Sequence, residues 1–157
     1  MKARKVRGLD PDGPFRENAQ KMASVRIEEV WRLGARSRDP REQAALHDMR
    51  IAAKRLRYLL EITEPCFGRP AKKGAKMARR LQDLLGEIHD CDVMSERVRA
   101  RAETVAVDDA RYVGLEALAT YMEARRRVLH RQFVHFWSDL EQDGFRERLE
   151  AELTAPA

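Results

Sequence analysis

Residues 46–60 of the chain read LHDMRIAAKRLRYLL, and the spacing inside this stretch decides the fold. Its apolar side chains recur every three or four residues, which is the period of a helix that buries one face. The basic residues recur with the same period on the opposite side, at His47, Arg50, Lys54 and Arg57. Asp48 is the only acidic residue of the stretch. The spacing therefore predicts an amphipathic helix with one apolar face and one basic face.

Turn-forming residues on both sides of this helix divide the chain into four helical stretches. Asp39 and Pro40 supply an N-cap and a first-turn proline before the helix, and Pro65, Gly68 and Pro70 end it. The apolar periods predict helices over about residues 15–34, 40–63, 71–88 and 113–140. A continuation of the third helix to residue 96 and a short helical tail near the C-terminus also fit the pattern.

The chain of 157 residues is long enough for one domain with a real core and too short for two. Hydrophobic residues make up 43% and charged residues 36%, and no segment shows the alternation of a half-buried strand. Amphipathic helices with short connections bury their apolar faces well as an antiparallel bundle. We therefore predict an all-α fold, an antiparallel four-helix bundle with long helices over residues 15–157. A basic irregular N-terminal arm over residues 1–14 precedes it.

The composition also disfavours several classes of protein. Cys66 and Cys91 stand alone, without the spacing of a zinc site or of a disulfide framework. No run of residues has the length and apolarity of a membrane span, and the N-terminus lacks the apolar core of a signal peptide. We therefore expect a cytoplasmic protein without a metal, a cofactor or a membrane partner.

The third helix carries a second basic stripe. Its members are Lys72, Lys73, Lys76, Arg79 and Arg80, and no acidic residue occurs within residues 71–82. Like charges at helical spacing repel each other, at a cost of about 0.2–0.5 kcal/mol per pair in an isolated helix. One such stripe is typical of ordinary solvated surface. Two matching stripes on consecutive helices, in a chain of net charge +5, indicate a site for a polyanion.

The fourth helix adds candidate core residues and candidate binding residues. Its predicted apolar side includes Leu118, Tyr121 and Phe133. The basic residues that lie away from that side are Arg126, Arg127, His130 and Arg131. We expect Asp90 and Asp92 of the third helix to support the basic side chains, because no second acid-rich segment completes a metal site with them. The residues therefore predict binding without catalysis.

Two other functions stay open on the residues alone. The basic stripes also suit a nucleic-acid-associated protein, because a nucleic acid presents phosphates at similarly regular intervals. A phosphohydrolase would need a carboxylate-rich metal site, for which Glu87, Asp90 and Asp92 are the candidates.

Three segments resemble the CHAD domain family, whose members are histidine-containing helical domains. Residues 46–60 resemble the family's first signature, and residues 81–93, LQDLLGEIHDCDV, resemble its second. The opening Gly8-Leu9-Asp10-Pro11 is similar to the family's entry segment. The resemblance implies a four-helix unit that binds inorganic polyphosphate on a basic surface without turning it over. It also implies an association with polyphosphate granules.

The resemblance carries over to particular positions. In the first signature these are His47, Arg50, Lys54, Arg55 and Arg57. The basic approach to the second signature contains Lys72, Lys73, Lys76, Arg79 and Arg80, and the second signature itself contains Asp90 and Asp92. His89 stands where the family usually has an arginine. Many family members contain two four-helix units, whereas this sequence has one, so we expect a homodimer to complete a two-bundle site.

Overall fold

The computed structural model describes residues 2–155, and these residues form six helices and no strand. The helices are α1 (Phe15–Ser37), α2 (Gln43–Ile62), α3 (Glu64–Phe67), α4 (Arg69–Ala102), α5 (Ala110–Gln142) and α6 (Phe145–Thr154). The predicted all-α fold is confirmed. Four of the helices are long, as predicted, and the C-terminal tail is helical. Met1 of the predicted arm and residues 156–157 of the predicted helical domain lie outside the described residues.

The second helix begins later than the sequence predicts. It starts at Gln43, with Glu42 in the N-cap position, and not at Pro40. Asp39 therefore caps no helix. Its carboxylate accepts hydrogen bonds from the guanidinium of Arg41 and from the Arg41 backbone N–H, the latter at 2.9 Å. These bonds lower the pKa of Asp39 to about 2 and fold the connection between α1 and α2.

Helix α4 is longer than predicted and passes through both of its glycines. Gly74 allows a close approach, because a Cβ at this position would lie 2.7 Å from Leu60 Cδ1 of α2 and 3.1 Å from Leu149 Cδ2 of α6. Glycine inside a helix costs about 0.5–1 kcal/mol relative to alanine. Here the close packing of three helices offsets that cost, and α4 continues without a break to Ala102.

Helix α4 packs between α2 and α5 and runs antiparallel to both. On the α2 side, Arg57 bonds to Gln82 and His47 contacts His89, so residue numbers rise along α2 as they fall along α4. On the α5 side, Arg126 meets Asp92 and Arg80 meets Phe136. Helix α1 packs on α2 and reaches α5 near its own end, where the ring centroids of Trp31 and Trp137 are 5.2 Å apart. The narrower prediction of one antiparallel four-helix bundle stays a prediction.

The core lies between these helices and includes Leu56, Leu81, Phe133 and Trp137, all fully buried. The first half of α5 departs from the prediction. Leu118 and Tyr121 were placed on the apolar side but are 38% and 55% exposed. The first half of α5 pairs with α4, at Arg99–Glu123 and Arg125–Glu87, whereas the second half also meets α1 at Trp31–Trp137. The first half therefore has fewer helices around it and buries less of its apolar side.

Residues 2–14 contain no helix or strand and lie along α1. Basic side chains of α1 hold the backbone of this arm: Arg26 Nη2 donates to the carbonyl of Arg4 at 3.1 Å, and Lys21 Nζ donates to that of Gly8 at 2.7 Å. The backbone N–H of Arg4 donates to the buried carboxylate of Glu29. The arm is therefore irregular but anchored. Among the helices of residues 2–155, none is both long and apolar enough to cross a membrane.

The contact between Gly34 and Trp137 gives a test of the packing of α1 on α5. A Cβ at Gly34 would lie 2.6 Å from Trp137 Nε1, and the indole is fully buried. We expect Gly34→Ala to lower the free energy of unfolding by about 1–3 kcal/mol, because the ring must shift within a packed core. Denaturant unfolding measures this change. The matched control is Gly114→Ala, where a Cβ meets no atom within 4 Å and should stabilise α5 by about 0.5–1 kcal/mol. Destabilisation of equal size in both variants would contradict the packing.

Candidate functional site

The basic stripe of α2 lies along the edge where α2 meets α4. The rings of His47 and His89 face each other across this edge with centroids 5.4 Å apart. Further along, Arg57 Nη1 donates to Gln82 Oε1 at 3.2 Å. The two signature segments of the sequence are thus in contact, because antiparallel packing aligns the start of one with the end of the other.

Arg50 lies in the middle of this edge, over Gly86 of α4. A Cβ at Gly86 would be 3.6 Å from Arg50 Nε and would meet no other atom within 4 Å. The Nε atom itself is buried and has no hydrogen-bond partner within the described residues. Glycine at this position leaves the Arg50 side chain room to lie close to the α4 backbone.

Tyr58 organises the next two cations of the stripe. Lys54 Nζ is 5.8 Å and the Arg57 guanidinium carbon 4.6 Å from the centroid of the Tyr58 ring. Such contacts contribute about 0.5–1 kcal/mol each at exposed sites. The Tyr58 side chain stays 43% exposed. The ring therefore holds two positive charges side by side at the surface, a role that the sequence analysis missed.

Glu61 is the acid that this cluster shares. Its Oε1 atom lies 3.2 Å from Arg57 Nε, at ion-pair distance but without hydrogen-bond geometry, and 3.4 Å from Arg79 Nη2. One carboxylate thus links α2 to α4 and faces two guanidinium groups. The i,i+4 spacing of Arg57 and Glu61 could have revealed half of this arrangement from the sequence.

The structure splits the basic stripe of α4 between two sides. Arg79 pairs with Glu61 of α2. Lys72 Nζ pairs at 3.0 Å with Glu64 of α3, which directly follows α2, so Lys72 extends the same side of α4. Lys73 instead pairs with Glu152 of α6 at 3.4 Å. Arg80 stacks on Phe136 of α5, with its guanidinium carbon 4.2 Å from the ring centroid.

Lys76 of α4 and Arg55 of α2 are the remaining predicted binding residues on these two helices. Lys76 is exposed, and its helical spacing from Lys72 and Arg79 puts it on the same side of α4. Arg55 is half-buried and lies about 100° around α2 from Lys54, off the stripe. We therefore define the α2–α4 surface as His47, Arg50, Lys54, Arg57, Lys72, Lys76 and Arg79.

The basic residues of α5 do not form a common face with this surface. Arg126 is mostly buried, forms an ion pair with Asp92, and donates from Nη2 to the carbonyl of Pro40 at 2.8 Å. Asp92 thus supports Arg126 and joins α4 to α5. Arg127 and Arg131 are exposed on α5, and Asp90 is exposed on α4.

The structure buries His130, so we leave it out of the candidate site. His130 is only 5% exposed, and its Nε2 atom lies 3.1 Å from the carbonyl oxygen of Ser37. Burial lowers the pKa of His130, and the nearby charge of Arg126 lowers it further, while the Ser37 carbonyl and Asp39 act in the opposite direction. His130 therefore connects α5 to the end of α1 as a neutral imidazole.

An open cleft of about 1000 Å³ begins beside His47 and His89 and continues between α4 and α5. Its floor is apolar, with Leu46, Leu85 and Ile88. The charged residues on its walls are Arg41, Asp92, Glu96, Arg99, Glu103, Glu123 and Arg126, with the acids in the majority. The cleft is therefore less suited to an anion than the α2–α4 surface. Within residues 2–155, no group of three or more His, Cys, Asp or Glu side chains is placed to hold a metal ion.

Comparison with known proteins gives one match. The family model of the CHAD domain matches residues 2–99, which include the arm, α1, α2, α3 and nearly all of α4. No curated protein and no solved structure matches the chain.

The burial of His130 predicts a pH dependence of stability. An unfolded chain has an ordinary imidazole pKa of about 6.5, above that of the folded state. The stability due to neutral His130 is therefore complete above about pH 6.5 and is lost as the pH falls through that value towards the lower folded pKa. We expect His130→Gln to flatten the dependence of the unfolding free energy on pH between about pH 8 and 5.

Denaturant unfolding at several pH values measures this effect. The control is His135→Gln, because the His135 side chain is 83% exposed, and this variant should keep the slope of the unsubstituted protein. An unchanged slope in His130→Gln would show that His130 does not titrate differently in the folded and unfolded states.

Proposed function

The chain belongs to the CHAD domain family, and from this premise we propose that its α2–α4 surface binds inorganic polyphosphate without turning it over. In this proposal the four long helices act as an antiparallel bundle that presents the surface. The protein would act in the cytoplasm, at polyphosphate granules. The proposal rests on the charges of the surface and on the way in which they are held.

The observation that carries the proposal is the uncompensated charge of Arg50 and Lys54. These residues are one turn apart on α2, and neither forms an ion pair with any residue in the described part of the chain. Adjacent like charges destabilise a helix. A bound polyanion would remove this repulsion, and the release of its counterions would add to the affinity.

The remaining cations extend the surface along both helices. Arg57 and Arg79 share one carboxylate, Glu61, and Lys72 pairs with Glu64 at the surface. The cations of the Arg79–Glu61 and Lys72–Glu64 pairs are exposed. Exposed ion pairs contribute about 0–1 kcal/mol, so phosphate oxygens can replace these carboxylates at little cost. Arginine offers a planar fork to phosphate oxygens and lysine a mobile point charge, and the surface contains both.

The spacing of the cations also fits a linear polyanion. Side chains on one helical stripe repeat about every 5.4 Å along the axis. Two antiparallel stripes therefore form a ladder of positive charge, which a chain of regularly spaced phosphates can follow. In the same proposal a second copy of the protein supplies the second helical unit that many family members carry in one chain.

Removal of three charges from α2 tests the site. We expect the triple variant Arg50→Ala/Lys54→Ala/Arg57→Ala to bind polyphosphate of defined length more weakly, and each lost phosphate contact to reduce the salt slope by about 1. Calorimetric titration at several salt concentrations measures both quantities. Helicity should change little, because none of the three side chains belongs to the apolar core.

A matched control separates the site from net charge. Arg97→Ala/Arg101→Ala/Arg148→Ala removes the same charge from exposed positions near the end of α4 and on α6. This control should keep most of the affinity. Equal losses in the two triple variants would mean that binding follows net charge and not the α2–α4 surface.

Competition separates polyphosphate from nucleic acid, the second ligand that basic stripes can bind. We expect polyphosphate to displace RNA or duplex DNA from the protein at equal phosphate concentration, because the ladder contacts phosphates and not bases. Fluorescence anisotropy of a labelled nucleic acid follows the displacement. Retention of the nucleic acid would favour a nucleic-acid-associated protein. Release of phosphate from polyphosphate, abolished by Asp90→Ala, would instead favour a phosphohydrolase.

A further inference from the structure

The part of α5 from Val113 to Val128 exposes an apolar face. Val113, Tyr121 and Val128 are 68%, 55% and 44% exposed, on the side of the helix opposite to its buried residues. Ala117 and Ala124 lie between them, the first exposed and the second half-buried. The steps between successive members of this stripe are three or four residues, so all five share one face.

An apolar stripe on the outer face of a helix is unusual, because a helix on a bundle surface normally turns polar residues outward. The stripe is also local. Beyond it, the same side of α5 continues with the exposed polar residues Arg131 and His135. Met94 of α4 and Leu118 of α5 add two more exposed apolar side chains to this end of the molecule. Clusters of this kind mark contact surfaces.

The stripe reads the same in both directions, as Val, Ala, Tyr, Ala, Val. A two-fold axis between Thr120 and Tyr121, perpendicular to the helix, exchanges Val113 with Val128 and Ala117 with Ala124. A two-fold interface requires such self-complementarity, because the same surface of each copy meets itself. If residue i of one copy contacts residue j of the other, then j of the first also contacts i of the second. The small alanines between larger side chains let two helix backbones approach closely.

The charges beside the stripe show the same symmetry. Glu116 and Arg127 are exposed, and neither has an ion-pair partner in residues 2–155. They are about three turns apart and therefore lie on the same flank of the stripe. In an antiparallel helix pair the same flanks meet. The two-fold axis would bring Glu116 of each copy within about 3 Å, along the helix, of Arg127 of the other, which long side chains can bridge.

We propose that the protein forms a two-fold homodimer through this face, with the α5 helices of two copies paired antiparallel. The stripe from Val113 to Val128 is about 23 Å long, which puts the interface at the small end of those that form stable dimers. We therefore expect a dissociation constant in roughly the micromolar range. The α2–α4 surface lies on other helices and stays open in this dimer, so each dimer presents two basic surfaces.

Sedimentation of the full chain over a range of concentrations, without polyphosphate, tests the dimer. Val113→Glu and Val128→Glu should each raise the dissociation constant by roughly 100-fold, because every dimer would bury the new carboxylate twice. The control is Ile62→Glu on α2, a position 69% exposed, which should leave the dimer unchanged. A monomer at all concentrations, or equal effects in the control, would overturn the proposal.

Charge reversal tests the antiparallel register without adding charge to the apolar stripe. Glu116→Arg and Arg127→Glu should each weaken the dimer by roughly tenfold, since each places like charges opposite one another twice. The double variant should restore the original dissociation constant. Two independent losses without restoration would overturn the antiparallel pairing. Because no polyphosphate is present, the result does not depend on whether the α2–α4 surface binds it.

Discussion

Helix α4 buries one side of its length against α2 and α5, and this packing determines which charged residues become neighbours. Leu81, Leu85 and Ile88 are almost completely buried along that side. Burial of each such side chain contributes about 1.5–3 kcal/mol, far more than any exposed ion pair at the surface. The rotation of α4 about its axis is therefore set by its apolar residues. This rotation in turn determines which neighbour each basic residue of α4 faces.

The acidic residues distinguish cations that are paired within the fold from cations that remain available to a ligand. Glu29 is buried and accepts from the Arg4 backbone and pairs with Arg26, which ties the N-terminal arm to α1. Asp92 pairs with Arg126 in a mostly buried link between α4 and α5. Arg50 and Lys54, by contrast, have no such acid. Mutual repulsion on an open surface costs little in water, so it can persist where a ligand supplies the opposite charge.

On its exposed side, helix α5 is apolar in its N-terminal part and polar in its C-terminal part. Its second half packs Phe133 and Trp137 into the core and turns Arg131 and His135 outward. The part before it, up to Val128, packs Ala119 inward and still exposes Val113, Tyr121 and Val128. A helix that is apolar on two sides gives a weak periodic signal. For this reason the apolar side predicted from the sequence includes Tyr121, whereas the structure leaves this residue 55% exposed.

The sequence by itself determined the all-α fold, the main helical breaks, and the stripe from His47 to Arg57, because each of these follows from periodicity within one segment. Tertiary structure decided that Arg79 lies beside α2 and Lys72 beside α3, while Lys73 and Arg80 turn towards α6 and α5. It also decided the burial of His130 and the roles of Tyr58 and Glu61. The physical reason is that periodicity gives the angle of a residue relative to the apolar stripe of its own helix. Which neighbour stands at that angle, and where along the helix that neighbour ends, depends on how the helices pack.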